Sequence, residues 1–252
     1  MTAPRPTRRT PSTRKSRPQP APPPESATPS HHPITLVVGT ATGVGKTWIT
    51  CAVARALRDA GQQVTAVKPI ETGCVEPPGP SEDGMQLAEA TGQTGPRRAL
   101  VRLPGQVAPA IAADQAGITV DYDELIARLR SMATAETLLL VEGAGGLLSP
   151  LTWSDNHLDL AHSLEARVLL VADDRLGTIS HTLMALRILQ AEKIAVLGVV
   201  LNQTGEPDES TRTNAGALQR LAEQVPIVRV QNLSDPVQAA EAVKEVAGWL
   251  LP

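Results

Sequence analysis

The chain has 252 residues, with 23 basic against 26 acidic side chains, two cysteines, three tryptophans, one tyrosine and no phenylalanine. Two cysteines exclude a disulfide framework and fit a reducing compartment, so a cytoplasmic protein is expected. No apolar run approaches the ~18–20 residues that span a bilayer, and so few aromatics leave the core to Val, Leu, Ile and Ala, as in parallel sheets covered on both faces.

Residues 1–33 stand apart. They hold ten prolines, six basic residues (Arg5, Arg8, Arg9, Arg14, Lys15, Arg17) and one acid, Glu25. Such a segment buries too little apolar surface to offset its ordering entropy, so it reads as a disordered, dispensable Pro/Arg-rich extension. Its proline density argues against an amphipathic targeting helix. The body, residues 34–252, then carries 17 basic and 25 acidic residues, a balance of −8. That balance argues against nucleic acid as a partner, because phosphate backbones are met by clustered Lys and Arg.

The body opens on Ile34–Val38, an apolar run that reads as a buried parallel strand, and Trp48–Leu57 reads as a helix. Between them lies Gly39-Thr-Ala-Thr-Gly-Val-Gly-Lys-Thr47. Strand, glycine loop ending in Lys-Thr, then helix is the context of a phosphate loop. Glycines turn backbone N–H groups toward phosphate oxygens, and the helix N-terminus adds partial positive charge. Lys46 would reach the β- and γ-phosphates and the Thr47 hydroxyl would ligate Mg²⁺. The first glycine sits one residue early, at Gly39, where the common pattern would place it at Thr40.

Further along, Val64–Val67 predicts a strand ending in Lys68-Pro69, and Glu82–Ala90 a helix. Val101–Gly117, with Pro104, Gly105 and Pro109, predicts loop with at most a short helix. Asp121 is a good N-cap for a helix over Tyr122–Met132. Strands follow at Thr137–Val141, Val168–Ala172, Ala195–Leu201 and Ile227–Val230, with helices at Ile179–Gln190, Asp208–Gln224 and Pro236–Leu251. Repeated βα units predict an α/β fold, a doubly wound and mainly parallel sheet with helices on both faces, in a single domain over 34–252. Ligands in such sheets gather at the carboxyl ends of strands.

The suspicious residues follow strands. Lys68 leaves a buried strand and needs an anion; Thr72, four residues on, would hydrogen-bond a substrate. Glu142 ends an apolar strand and calls for a cation, with Gly143, Gly145 and Gly146 beside it permitting close approach of a ligand. Asp83 reads equally as a second metal carboxylate or as ordinary charge–dipole chemistry in a helix's first turn. Gly177 with Thr178 and Ser180 offers backbone N–H groups to a carboxylate, or Thr178 is only an N-cap. Asn202 would read a base edge or form a turn. His157, His162 and His181 show neither metal spacing nor a nucleophile partner and read as caps or satisfied polar groups. Cys51 and Cys74 read as ordinary thiols.

Together, Gly39–Thr47, Lys68-Pro-Ile-Glu-Thr-Gly73, Asp83, Glu142-Gly-Ala-Gly-Gly146, Leu176-Gly-Thr-Ile-Ser-His181 and Asn202 closely resemble the dethiobiotin synthetase family, from about Ile34 to the C-terminus. The early first glycine is shared with that family. The resemblance implies a homodimeric ligase that uses ATP and Mg²⁺ to join 7,8-diaminononanoate and CO₂ into dethiobiotin, releasing ADP and phosphate. It implies Lys46 and Lys68 as catalytic residues, and Thr47, Asp83 and Glu142 as ligands of Mg²⁺. The ATP site would comprise Gly43, Val44, Gly45, Lys46, Thr47 and Trp48, with Asp83, Glu142, Gly143, Ala144 and Gly145. Asn202 and Gln203, and the stretch Val225, Pro226 and Ile227, would flank the adenine. Thr72 would contact substrate, and Gly177, Thr178 and Ile179 would bind its tail carboxylate from across the dimer interface. The chain departs from some members at Ala41 and Gly43, where they carry acids, and at Ser180, often Asn. A partition-type regulatory ATPase is the alternative, but such proteins carry an extra lysine early in the loop, where this chain has Thr40 and Ala41. An amidoligase would need a glutaminase domain for which the chain has no room.

Overall fold

Five consecutive buried residues, Thr35–Gly39, form the first strand (β1), and their side chains alternate between two separate hydrophobic cores. Leu36 and Val38 face one and Val37 the other, as the period of two in a strand requires. The same division recurs in β5 (Thr137–Gly146), β6 (Arg167–Asp173) and β7 (Val196–Gln203). The computed structural model describes residues 33–231 and 233–251, so the expected extension, Pro33 excepted, lies outside the described residues.

With β2 (Gln63–Val67) and β8 (Ile227–Gln231) these strands form a six-stranded parallel sheet, ordered β2-β5-β1-β6-β7-β8. One face packs on α1 (Lys46–Asp59), α8 (Pro236–Ala242) and α9 (Lys244–Leu250). The other packs on α4 (Tyr122–Ser131), α5 (His157–Ser163), α6 (Thr178–Ala191) and α7 (Asn214–Leu221). In α1, Ile49, Ala52, Val53 and Leu57 are buried at helical spacing, and each large one contributes about 1.5–3 kcal/mol. The doubly wound parallel architecture is as expected. No helix among the described residues is long and apolar enough to cross a membrane.

Four local expectations need correction. The Val101–Gly117 stretch contains the short helix allowed for, α3 (Pro109–Ala116), but also a strand, β4 (Val101–Leu103). β4 pairs in parallel with β3 (Ile70–Thr72) as a separate two-stranded sheet, too short to show a period of its own. α5 was not foreseen; a capping box between Asn156 and Asp159 starts it. The helix over Asp208–Gln224 is interrupted: Asp208 accepts from Thr211 N–H within a 3₁₀ turn at Ser210–Arg212, and α7 begins only at Asn214. The closing helix breaks at Val243, wholly buried, whose N–H bonds back three residues to Ala240. That break lets Ala239, Ala240, Val246 and Leu250 share one core.

The two-stranded sheet bears on function through α2 (Asp83–Thr91). Glu71 in β3 accepts from the N–H groups of Asp83 at 2.5 Å and Gly84 at 3.0 Å. Arg102 in β4 makes a bidentate pair with Glu82, through Nε at 2.9 Å and a terminal nitrogen at 2.6 Å. The start of α2, and with it Asp83, is fixed from two directions.

Candidate active site

The glycine loop carries the chain from β1 into α1, which begins at Lys46. Gly45 precedes it in the left-handed region at φ 84°, and a Cβ there would lie 2.1 Å from Asn202 Nδ2. Only glycine fits both demands. Asn202, wholly buried in β7, donates to the Val44 carbonyl at 3.0 Å and so fastens the loop to the sheet. Lys46 lies across its own loop, donating to Ala41 O at 3.3 Å. Burial, then the nearby Lys68 charge, pull its pKa down to about 8, against the opposing pull of Glu142 and Asp83.

Lys68 leaves β2 into this same space. Its side chain is 4 % exposed and its ammonium reaches Asp83 Oδ2 at 2.6 Å, Glu142 Oε1 at 2.7 Å and Gly143 O at 3.3 Å. Three N–H donors thus meet three acceptors. Burial lowers the Lys68 pKa, but the charges of Glu142 and Asp83 more than offset it, and the net shift is upward. Burial likewise raises Asp83, but the charge and hydrogen bond of Lys68, with a hydrogen bond from Thr47, outweigh it and the carboxyl sits below its usual range. Thr47 Oγ1 donates to Glu142 Oε1 at 2.8 Å, which ties the phosphate loop to the Lys68 cluster.

Glu142 does not end its strand, as the sequence suggested. β5 runs on to Gly146, and two of its residues pair with β1 as Val37–Glu142 and Gly39–Gly146. Four steps along β5 therefore match two along β1, and the surplus bulges out as Gly143–Gly145. Ala144 N–H donates to His157 Nε2 at 3.0 Å, and Gly146 N–H to Ser149 Oγ at 2.8 Å.

The bulge, the loop and the start of α2 enclose a cavity of about 590 Å³. Of the residues singled out in the sequence, Gly43, Gly45, Lys46, Thr47, Lys68, Thr72, Asp83, Ala144 and Gly145 line it. Glu71, Gln106–Pro109 and Ser149 join them without having been foreseen. Glu71 sits within the Lys68–Gly73 motif, so position was available as a signal; the Gln106–Pro109 lining came from a stretch read as loop with at most a short helix.

Other expected residues lie apart. Trp48 turns away, its indole N–H donating to Leu233 O at 3.0 Å. Gln203 lines a second cavity, of about 750 Å³ past the ends of β7 and β8, and is bonded there to Arg229. Arg229 also pairs with the buried Asp174 at 2.6 Å. Val225, Pro226 and Ile227 are at the wrong end of the sheet to flank a base. Ile227 starts β8 and pairs with Val199, four residues before Gln203, so the stretch lies about 13 Å from the carboxyl edge. The carboxyl-end rule, applied to β8, points instead to Gln231 and Leu233. Gly177, with φ 94°, starts α6, but Gly177, Thr178 and Ile179 do not line the Lys68 cavity. His181 and Met184 of α6 line a neighbouring apolar hollow with Ala41, Thr42, Leu148 and Ser149.

Both cysteines are buried and free, and burial pushes Cys51 up to about 12 and Cys74 upward, so neither offers a thiolate. Cys74 clusters with Glu71 and Glu82, but those carboxylates are committed to α2 and Arg102.

Glu142 Oε2 is buried with no hydrogen-bond partner among the described residues. With the Thr47 hydroxyl and the Asp83 carboxylate it offers hard oxygen donors beside a phosphate loop, which suits a divalent cation such as Mg²⁺.

A family model described as an AAA domain matches residues 35–240. Among curated proteins, the chain is 38 % identical to an "ATP-dependent dethiobiotin synthetase BioD" of Anaeromyxobacter dehalogenans over 84 % of this chain and 96 % of that one. The proteins of that name from a Caulobacter strain and from Aquifex aeolicus are 40 % and 35 % identical. They cover 72 % and 80 % of this chain and 80 % and 91 % of their own lengths.

Proposed function

Because this chain belongs to the ATP-dependent dethiobiotin synthetase family, and is a ligase forming C–N bonds, we propose that it closes the ureido ring of dethiobiotin from 7,8-diaminononanoate and CO₂. One observation carries the reading: a buried Lys68 ammonium beside Asp83 and Glu142, with Glu142 bonded to Thr47 of the phosphate loop. In this reading one substrate amine loses a proton and captures CO₂ as a carbamate. The carbamate oxygen attacks the γ-phosphorus, ADP leaves, and the second amine attacks the resulting mixed anhydride and expels phosphate. Two anions must meet, so fixed positive charge is the main requirement, and no protein nucleophile is needed.

Lys46 and the loop N–H groups would hold the β- and γ-phosphates. Lys68 would face the carbamate and the transferring phosphoryl group, with Thr72 at the substrate. Thr47, Asp83 and Glu142 would hold Mg²⁺, which would neutralise phosphate charge when bound. The base would lie past β7, near Asn202 and Gln203. We read the protein as a cytoplasmic homodimer over residues 34–252, with no nucleic-acid or membrane partner. Exposed Leu148 and Met184 around the α6 hollow favour a subunit contact there, which would bring the Gly177–Ile179 turn to a neighbouring substrate.

The test is phosphate release from MgATP and bicarbonate with and without the diamine. Diamine-dependent release is expected; release indifferent to the diamine would favour a nucleotide switch and defeat the reading.

A further inference from the structure

The Gly143–Ala144 peptide in the β5 bulge is gripped at both ends. Its carbonyl accepts the third Lys68 proton at 3.3 Å, and its N–H donates to His157 Nε2 at 3.0 Å. A peptide unit is planar and stiff, so holding one end orients the other. We propose that His157 is a positioning residue for Lys68, a neutral imidazole that sets the Gly143–Ala144 peptide and thereby the direction of the ammonium. The proposal rests on the assignment of Lys68 to the carbamate and phosphoryl group.

The ring is itself rigidly placed. His157 is the first residue of α5, and Asn156 and Asp159 lock that start: Asn156 Oδ1 accepts from Leu158 N–H at 2.8 Å, and Asn156 N–H donates to Asp159 at 2.9 Å. The imidazole is wholly buried. It lies so close under the bulge that a Cβ on Gly143 would stand 2.6 Å from its Cδ2 and Nε2. Because Nε2 accepts, the ring proton is on Nδ1, which is buried without a hydrogen-bond partner among the described residues. Burial, then the Lys46 and Lys68 charges, press its pKa down to about 3, so the acceptor persists at neutral pH.

His157→Gln keeps an acceptor at similar reach; His157→Met fills the space without one. Dethiobiotin formation by the unchanged protein is the control, and its absence would remove the functional reading itself. Given that activity, His157→Met lowers kcat about tenfold or more, with Kd for ATP and KM for the diamine within about threefold. His157→Gln recovers most of the loss, and amide exchange of the Gly143–Gly146 segment quickens only in the methionine variant. Retention of kcat by His157→Met, or equal loss in both folded variants, would overturn the proposal. So would failure of both to fold, since His157 would then serve the fold and not the peptide.

Discussion

Lys68→Met keeps most of the length of the side chain and removes its charge, leaving the wholly buried Glu142 carboxylate without the ammonium that stood 2.7 Å away. Breaking a buried pair by deleting one partner costs about 3–5 kcal/mol. Asp83, one-third exposed, adds little once solvent screening is counted. At about 2–4 °C per kcal/mol for a chain of this size, Tm falls by ~6–20 °C. The pH dependence has a definite sign. In the unchanged protein the Asp83 pKa is depressed, so its contribution is present above its unfolded value and lost as pH falls through the depressed one. In the variant Asp83 loses the Lys68 charge and hydrogen bond that hold its carboxyl low, so the loss of stability on acidification is smaller in the variant than in the parent. Urea unfolding near neutral pH and in acid reads this directly. Mg²⁺ should stabilise the variant more than the parent, since it would replace the charge that Lys68 supplied to Asp83 and Glu142. Turnover is abolished while ATP still binds. A variant within about 1 kcal/mol of the parent, with the same pH profile, would refute the reasoning.

Other outcomes follow from the same geometry. Gly45→Ala puts a methyl 2.1 Å from Asn202 Nδ2 at φ 84°, so ATP affinity measured by calorimetry should fall at least about tenfold; unchanged affinity would mean the loop is not the phosphate site. Lys46, held at about 8, must be charged to meet phosphate, so ATP binding should take up a proton near pH 9 and almost none near pH 7. Calorimetry in buffers of different ionisation enthalpy detects this, and equal uptake at both pH values would contradict it. Arg229→Met leaves Asp174, with no exposed side-chain surface, the Asn214 amide at 2.8 Å as its one side-chain partner among the described residues; chemical denaturation should show a loss near the lower end of about 3–5 kcal/mol, and an unchanged midpoint would make the pair energetically silent.

Most of the fold was legible because its strands are uniformly apolar and its turns carry glycine or proline. Lys46, Thr47, Lys68 and Ala144 could be picked out because each stands in a short motif following an apolar strand run, and the topology brings them to one cavity with Asp83 at the start of α2. What was not legible depends on pairing between distant strands. The β5 bulge exists only through its register with β1, so Glu142 looked terminal when it is internal. His157 read as a cap or a satisfied polar group, and its partner, the Ala144 N–H, carries no side-chain signature that would have named it. Val225–Ile227 went to the adenine although they open β8, whose other end faces the loop; direction along the strand, not composition, decides that point. β4 was too short to show periodicity, yet its Arg102 helps fix the helix that presents Asp83.

The central claim is that the Lys68 cluster and the phosphate loop jointly drive ring closure on a carbamate. Mass spectrometry of the product formed from the diamine, MgATP and ¹³C-bicarbonate tests it most directly. The account predicts dethiobiotin carrying one ¹³C in the ureido carbonyl, with one phosphate released per ring and none from Lys68→Met. Phosphate released without labelled product would contradict it.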